Sequence, residues 1–186
     1  MKYLKKIKLK DGRECILRNG EEHDGQAVLA NFILTHEQTD YLLSYPDENT
    51  MTAEQEAEFL KAKTESSNEI EILAEVDGVI AGLAGIDAIG RREKIRHRAN
   101  FGISVDRQYW NLGIGTALMN ACIDCAREAG YEQIELSVVA ENKSAIAMYR
   151  KAGFEEYGRN PRGFKSRLTG YQDLVYMRME LSDRLY

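Results

Sequence analysis

The chain has 186 residues, 44% hydrophobic and 30% charged, with a net charge of -5. That composition fits one globular domain over 1–186, argues against a linker-rich, polyproline or low-complexity chain, and weakens a generic nucleic-acid reading, so no nucleic acid is expected. The longest charge-free apolar stretch, 79–86, is far short of the ~18 residues of a membrane span. The basic start has no apolar segment behind it, so neither a secretory leader nor membrane contact is expected, and the protein is expected in the cytoplasm.

In chain order, a strand is predicted over 14–18, closed by Asn19-Gly20, and a helix over 22–35 carrying Ala27, Leu29, Ala30, Ile33 and Leu34 at helical spacing. A second helix is predicted over 52–66, opened by Thr52 with Gln55 three residues on, a capping-box start. Strands over 69–76 and 79–89 flank Asp77-Gly78, a hairpin turn. A further strand fits 95–105, after a charged turn at 90–94. Then come a helix at 113–128, a strand at 133–139 and a helix at 142–151. Strands at 154–159 and 171–181 close the order β-α-α-β-β-β-α-β-α-β-β. Central hairpins followed by strand–helix alternation read as one α/β (α+β) domain around a mixed sheet. Cys122 and Cys125 form a C-x-x-C inside the third helical pattern. With no second pair and no histidine couple to complete a site, they read as small apolar residues on a buried face, and no metal is expected.

The chemistry concentrates in two segments. After the strand ending at Val105, Trp110-Asn111-Leu112-Gly113-Ile114-Gly115-Thr116 runs into a helix whose Ile114, Leu118, Cys122 and Cys125 share one face. Glycines at a helix start let a ligand approach the free amides, which attract anions. Three readings compete here: a tight loop with incidental glycines, a dinucleotide-binding turn, and a coenzyme A pyrophosphate loop. The dinucleotide reading is weakened by Leu118 in the third glycine slot and by the long run between strand and first glycine. In the second segment, Asn142 stands where a strand gives way to a helix, a natural N-cap. Tyr149 falls on the same face two turns later, and Gly153-Phe154 ends the helix. By periodicity alone Tyr149 reads as a core aromatic more than as a catalyst.

Together the two segments resemble the GCN5-related N-acetyltransferase (GNAT) superfamily. Gly113 and Gly115 match its pyrophosphate loop; Asn142, Ala145, Tyr149, Gly153 and Phe154 match its later helix. The order of elements agrees over nearly the whole chain. The resemblance implies a central, mostly antiparallel sheet with helices on both faces. It also implies transfer of acetyl from acetyl-CoA to a primary amine by direct attack in a ternary complex. Ile103, Ser104 and Val105 would pair with the pantetheine arm, and Asn111, Leu112, Gly113, Ile114, Gly115 and Thr116 would hold the pyrophosphate. Asn142 would contact the cofactor arm, and Tyr149 would protonate the departing thiolate.

The departures are specific. Trp110 occupies the loop's Arg/Gln slot, and Ser137 stands where many relatives carry a general-base glutamate; 99–105 contains no carboxylate either. His97 is the histidine next to that strand and the alternative base, while Glu75 and Glu135 sit on strands with either facing open. Eleven acidic residues against two lysines over 37–75 suggest a cationic acceptor. The acceptor is expected to be a small amine, with a protein N-terminus or lysine as the alternative, in a monomer or homodimer. A binding module of the same fold that has lost turnover is the non-enzymatic alternative.

Overall fold

The computed structural model describes residues 1–181. The strands are β1 (Leu4–Lys8), β2 (Glu14–Asn19), β3 (Ile70–Val76), β4 (Val79–Ala88), β5 (Arg98–Val105), β6 (Gln133–Val139), β7 (Glu155–Ser166) and β8 (Gly170–Glu180). They form one sheet in the order β1-β2-β3-β4-β5-β6-β8-β7. The pairings are antiparallel except β5 with β6. The helices are α1 (Gly25–Gln38), α2 (Ala53–Glu65), α3 (Ile114–Glu128) and α4 (Lys143–Ala152).

The strand alternation distributes the helices over both faces. Leu73 of β3 and Leu83 of β4 pack with Val28 of α1 and Leu60 of α2. Their neighbours Ile72, Ala74, Ala84 and Ile86, with Phe101 of β5, join Ile114, Leu118 and Cys122 of α3 and Ile146 and Tyr149 of α4. Cys122 and Cys125 are buried, and burial pushes the Cys122 thiol well up and the Cys125 thiol to about 11, so both stay protonated core residues. Thr52 caps α2, accepting from the Gln55 amide while the Gln55 side chain reaches back, as its spacing predicts.

Three differences from the sequence reading have physical causes. β1, unpredicted, is a lysine-rich edge strand held by β2 alone, so no hydrophobic alternation marks it. β5 starts at Arg98, because 95–97 complete the preceding turn. β7 continues past 159 to Ser166: its pairing with β8 is irregular between Asn160 and Phe164, where Pro161 lies, and an edge strand tolerates proline. The predicted domain end at 186 lies outside the described residues.

Between sheet and helices sits a partly buried ion pair. Arg18 donates through Nη1 and Nη2 to both oxygens of Asp24 at 2.7 Å, and through Nε to Glu75 at 2.9 Å. Burial alone would raise the Asp24 carboxyl, but hydrogen bonds from Arg18 and the Glu21 amide outweigh it and hold it below the usual range. A carboxyl with a depressed folded value stabilises the fold above about pH 4, and that contribution is lost as pH falls through the folded value. Asp24→Asn is therefore expected to cost about 2 kcal/mol at pH 7, since Arg18 keeps Glu75 but loses its two-point partner. The Tm gap to wild type should close in acid; a gap unchanged at low pH would contradict this account.

Candidate active site

β5 and β6 pair over only three residue pairs, Arg98 with Gln133 through Asn100 with Glu135, and then part. β5 stays paired with β4 to Val105. The Asp106 amide donates to Ala81 at 2.9 Å. Antiparallel alternation therefore turns the backbone groups of Ile103 and Val105 away from β4, toward the gap, while those of Ser104 serve the sheet. The Val105 carbonyl on that side accepts from the Trp110 indole at 2.7 Å. The Ser104 hydroxyl, on the opposite face of the strand, is buried without a hydrogen-bond partner among the described residues.

The gap opens into a cleft of about 400 Å³. Of the residues singled out above, Ile103, Ser104, Val105, Asn111, Gly113, Gly115, Thr116, Asn142 and Tyr149 line it. Leu112 and the buried Ile114 turn their side chains to the core and offer only backbone. His97 lies in the turn before β5, its carbonyl accepting from Glu132 and Gln133. It is roughly 20 Å along the strand from Ile103, at ~3.3 Å per residue, and does not line the cleft.

At one end of the cleft, α3 begins. Asn111 and Gly113 take left-handed φ values of 63° and 100°, which reverse the chain and present the first turn of α3 to the cleft. Its opening amides have no intrahelical acceptor. A Cβ on Gly115 would lie 3.3 Å from the Met148 sulfur and 4.0 Å from both Ile103 Cδ1 and Val105 Cγ2, so glycine is what keeps this cradle open. Lys10 also lines the cleft, and its amide donates to Leu112 at 3.2 Å, tying the N-terminal turn to the loop.

α4 begins at the same cleft. Asn142 caps it by accepting from the Ala145 amide at 3.2 Å. The Tyr149 ring is packed against Phe101 and Phe154 at centroid distances of 6.2 and 5.9 Å. Its hydroxyl has no hydrogen-bond partner among the described residues, and burial raises its pKa, so it stays protonated. Tyr149 is thus a core ring and a cleft-facing O–H donor at once.

Neither strand carboxylate left open above is free. Glu75 is bound to Arg18. Glu135 is held by both arms of Arg98 and by the Tyr157 hydroxyl at 3.1 Å. Burial pulls Glu135 up, but these partners outweigh it and keep its carboxyl low. No acidic residue lines the cleft among the described residues.

The wall opposite α4, which sequence reasoning missed, comes from α1 and the segment after it: Thr35, Thr39, Tyr41 and Leu42. That segment is clasped to the β7–β8 hairpin. Ser166 Oγ donates to Asp40 at 2.5 Å, the Arg167 amide to the Tyr45 hydroxyl at 2.6 Å, and the Arg167 guanidinium to Asp47 at 2.8 Å while lying over the Tyr45 ring.

Residues 31–154 match the sequence profile of the acetyltransferase (GNAT) family. The L-amino acid N-acetyltransferase AaaT of Escherichia coli is 36% identical over 108 residues, 58% of this chain and 65% of that protein. The chain thus spans just under two thirds of that curated relative's length. A GNAT-family acetyltransferase from Streptococcus pneumoniae superposes with a TM-score of 0.85 at 29% identity, covering 89% of this chain and 99% of that one. The structure of yncA from Salmonella typhimurium with its cofactor acetyl-CoA superposes at 0.80 and 18% identity, covering 91% and 95%, and shares the fold.

Proposed function

Since the chain belongs to the GNAT acetyltransferase family, we propose that it moves an acetyl group from acetyl-CoA to a primary amine by direct attack in a ternary complex. The acceptor in this reading is the α-amino group of an amino-acid-sized molecule. The observation that carries it is the parting of β5 from β6, which leaves a strand edge leading to the free amides of α3. The backbone of Ile103 and Val105 pairs with the amides of the pantetheine arm, as an added strand would. The opening amides of α3, from Gly113 to Thr116, take the pyrophosphate, with the Lys10 ammonium near it. The Asn142 side chain steadies the arm, and the Tyr149 hydroxyl supplies a proton to sulfur as the carbon–sulfur bond breaks.

Two observations favour a compact acceptor. The clasp between 40–47 and 166–167 walls the cleft beside Tyr41 and Leu42. The relative AaaT is, by name, an L-amino acid N-acetyltransferase.

The test is thiol release from acetyl-CoA with the twenty L-amino acids, a peptide beginning with alanine, a lysine peptide and an aminoglycoside. Mass analysis then identifies the acetylated product. Free amino acids are expected to turn over fastest; acetylation of a peptide alone would move the acceptor to a protein N-terminus or lysine. Coenzyme A that raises Tm while no amine releases thiol would make the protein an acyl-CoA-binding module.

A further inference from the structure

Glu71 of β3 is a buried carboxylate for which the scheme above has no use. It has no hydrogen bond and no ion pair among the described residues, unlike Glu75 and Glu135. Its side chain lies flat over the neighbouring strand: a Cβ built on Gly85 would collide with Glu71 Oε2. Gly85 is paired in turn with Gly102 of β5, and a Cβ on Gly102 would meet nothing within 4 Å. A carboxylate, a bare strand and an open spot therefore line up across β3, β4 and β5.

That line falls where the acetyl group would be. β5 and β6 part immediately after Asn100, so the apex of the gap, farthest from the α3 amides, lies at Phe101 and Gly102. Glu71, Leu83, Gly85, Gly102 and Ser104 share the face toward α1 and α2, away from the α3 and α4 side. An amine arriving on this face over Gly102 stands one strand spacing, about 5 Å, from the strand beneath the Glu71 carboxylate. A single water bridges such a spacing between the nitrogen and the carboxylate.

Resting on the acetyl-transfer reading above, we infer that Glu71 is the proton acceptor for the attacking amine. The nitrogen forms its bond to the carbonyl carbon, the carbon–sulfur bond breaks with its electron pair passing to sulfur, and the nitrogen sheds one proton to Glu71. Sulfur takes one proton from Tyr149. Return of the Glu71 proton to the Tyr149 oxygen through solvent restores both groups.

The charged neighbourhood suits the role. Lys63 of α2, itself buried, is committed to Asp87 of β4 and to the Ile86 carbonyl at 3.3 Å. Glu56 of α2 and Asp87 oppose ionisation of Glu71 and Lys63 favours it, while Cys122 of α3, a protonated thiol, lies across the sheet from it. Burial, the largest influence, pushes the Glu71 carboxyl up to about 8, a value matched to taking a proton near neutral pH.

The experiment compares wild type, Glu71→Gln and Glu71→Asp, using acetyl-CoA and the fastest amine of the panel above. The ratio of wild-type to variant rates at each pH cancels the amine's own titration. For Glu71→Gln it is expected to rise from near unity in mild acid to about 100 above pH 8, the lower end of general-base effects. Acetyl-CoA affinity should be unchanged. Glu71→Asp, which keeps the carboxylate, should recover part of the rate.

Stability gives a readout without turnover. A carboxyl whose folded value is raised keeps its proton longer folded than unfolded, so it lowers stability progressively as pH climbs from about 4.5 to 8. The Tm of Glu71→Gln should therefore gain on wild type over that window. A ratio that stays flat with pH, or a Glu71→Gln protein with wild-type turnover, overturns the inference and leaves the family reading standing. Two variants that both lose acetyl-CoA affinity also overturn it, since the carboxylate would then serve the fold. Wild-type protein that releases no thiol with any amine removes the underlying reading, and this inference with it.

Discussion

Tyr149→Phe is expected to lower the acetylation rate by about 10²–10⁴-fold, the usual contribution of a positioned general acid, while Tm and acetyl-CoA affinity stay close to wild type. The ring keeps its packing against Phe101 and Phe154. What is lost is a hydroxyl with no hydrogen-bond partner among the described residues, so its removal strands no neighbour there. A purely structural tyrosine would give the opposite pattern, with turnover kept and any effect confined to Tm. Turnover and Tm measured on the same preparation separate the two, and a stable Tyr149→Phe protein with wild-type rate would assign sulfur protonation to solvent.

Gly115→Val is expected to weaken acetyl-CoA binding by about 150-fold or more, measured by calorimetry. The new Cβ already crowds the Met148 sulfur at 3.3 Å, and the two methyl groups beyond it occupy the approach to the α3 amides. Losing two hydrogen bonds to a charged phosphate costs about 3 kcal/mol or more. Gly115 has an ordinary helical backbone, unlike Gly113 with φ at 100°, so the fold should survive the change. Unchanged affinity would remove the pyrophosphate assignment to this helix.

Much of this site is legible in the sequence because short, local features write it. Gly113, Gly115, the Asn142 cap and the Tyr149 spacing each report the geometry of a single turn or helix face. What the sequence conceals is set by strands meeting across the sheet. Whether Glu75 and Glu135 face a partner depends on Arg18 and Arg98, which reach them from other strands. The position of Glu71 over Gly85 depends on a pairing register that no spacing within β3 encodes. His97, next to β5 in the chain, lies far from the cleft because an extended strand carries sequence neighbours apart at ~3.3 Å per residue. The wall from Tyr41 and Leu42 is invisible for a related reason: its position is decided by side-chain contacts with Ser166 and Arg167, more than a hundred residues away.

The two ends of the sheet carry one more consequence. Among the described residues, β1 and β7 each leave a row of backbone donors and acceptors without a neighbouring strand, the kind of template on which proteins stack into aggregates. On β1 that row is studded with Lys5, Lys6 and Lys8; on β7 it carries Arg159, Pro161, Arg162 and Lys165. A second copy docking along β1 would set lysines side by side, and one docking along β7 would meet at Pro161 a position that has no amide to donate. The lysines of β1 and the proline of β7 thus oppose edge-to-edge stacking at the two margins of this open sheet.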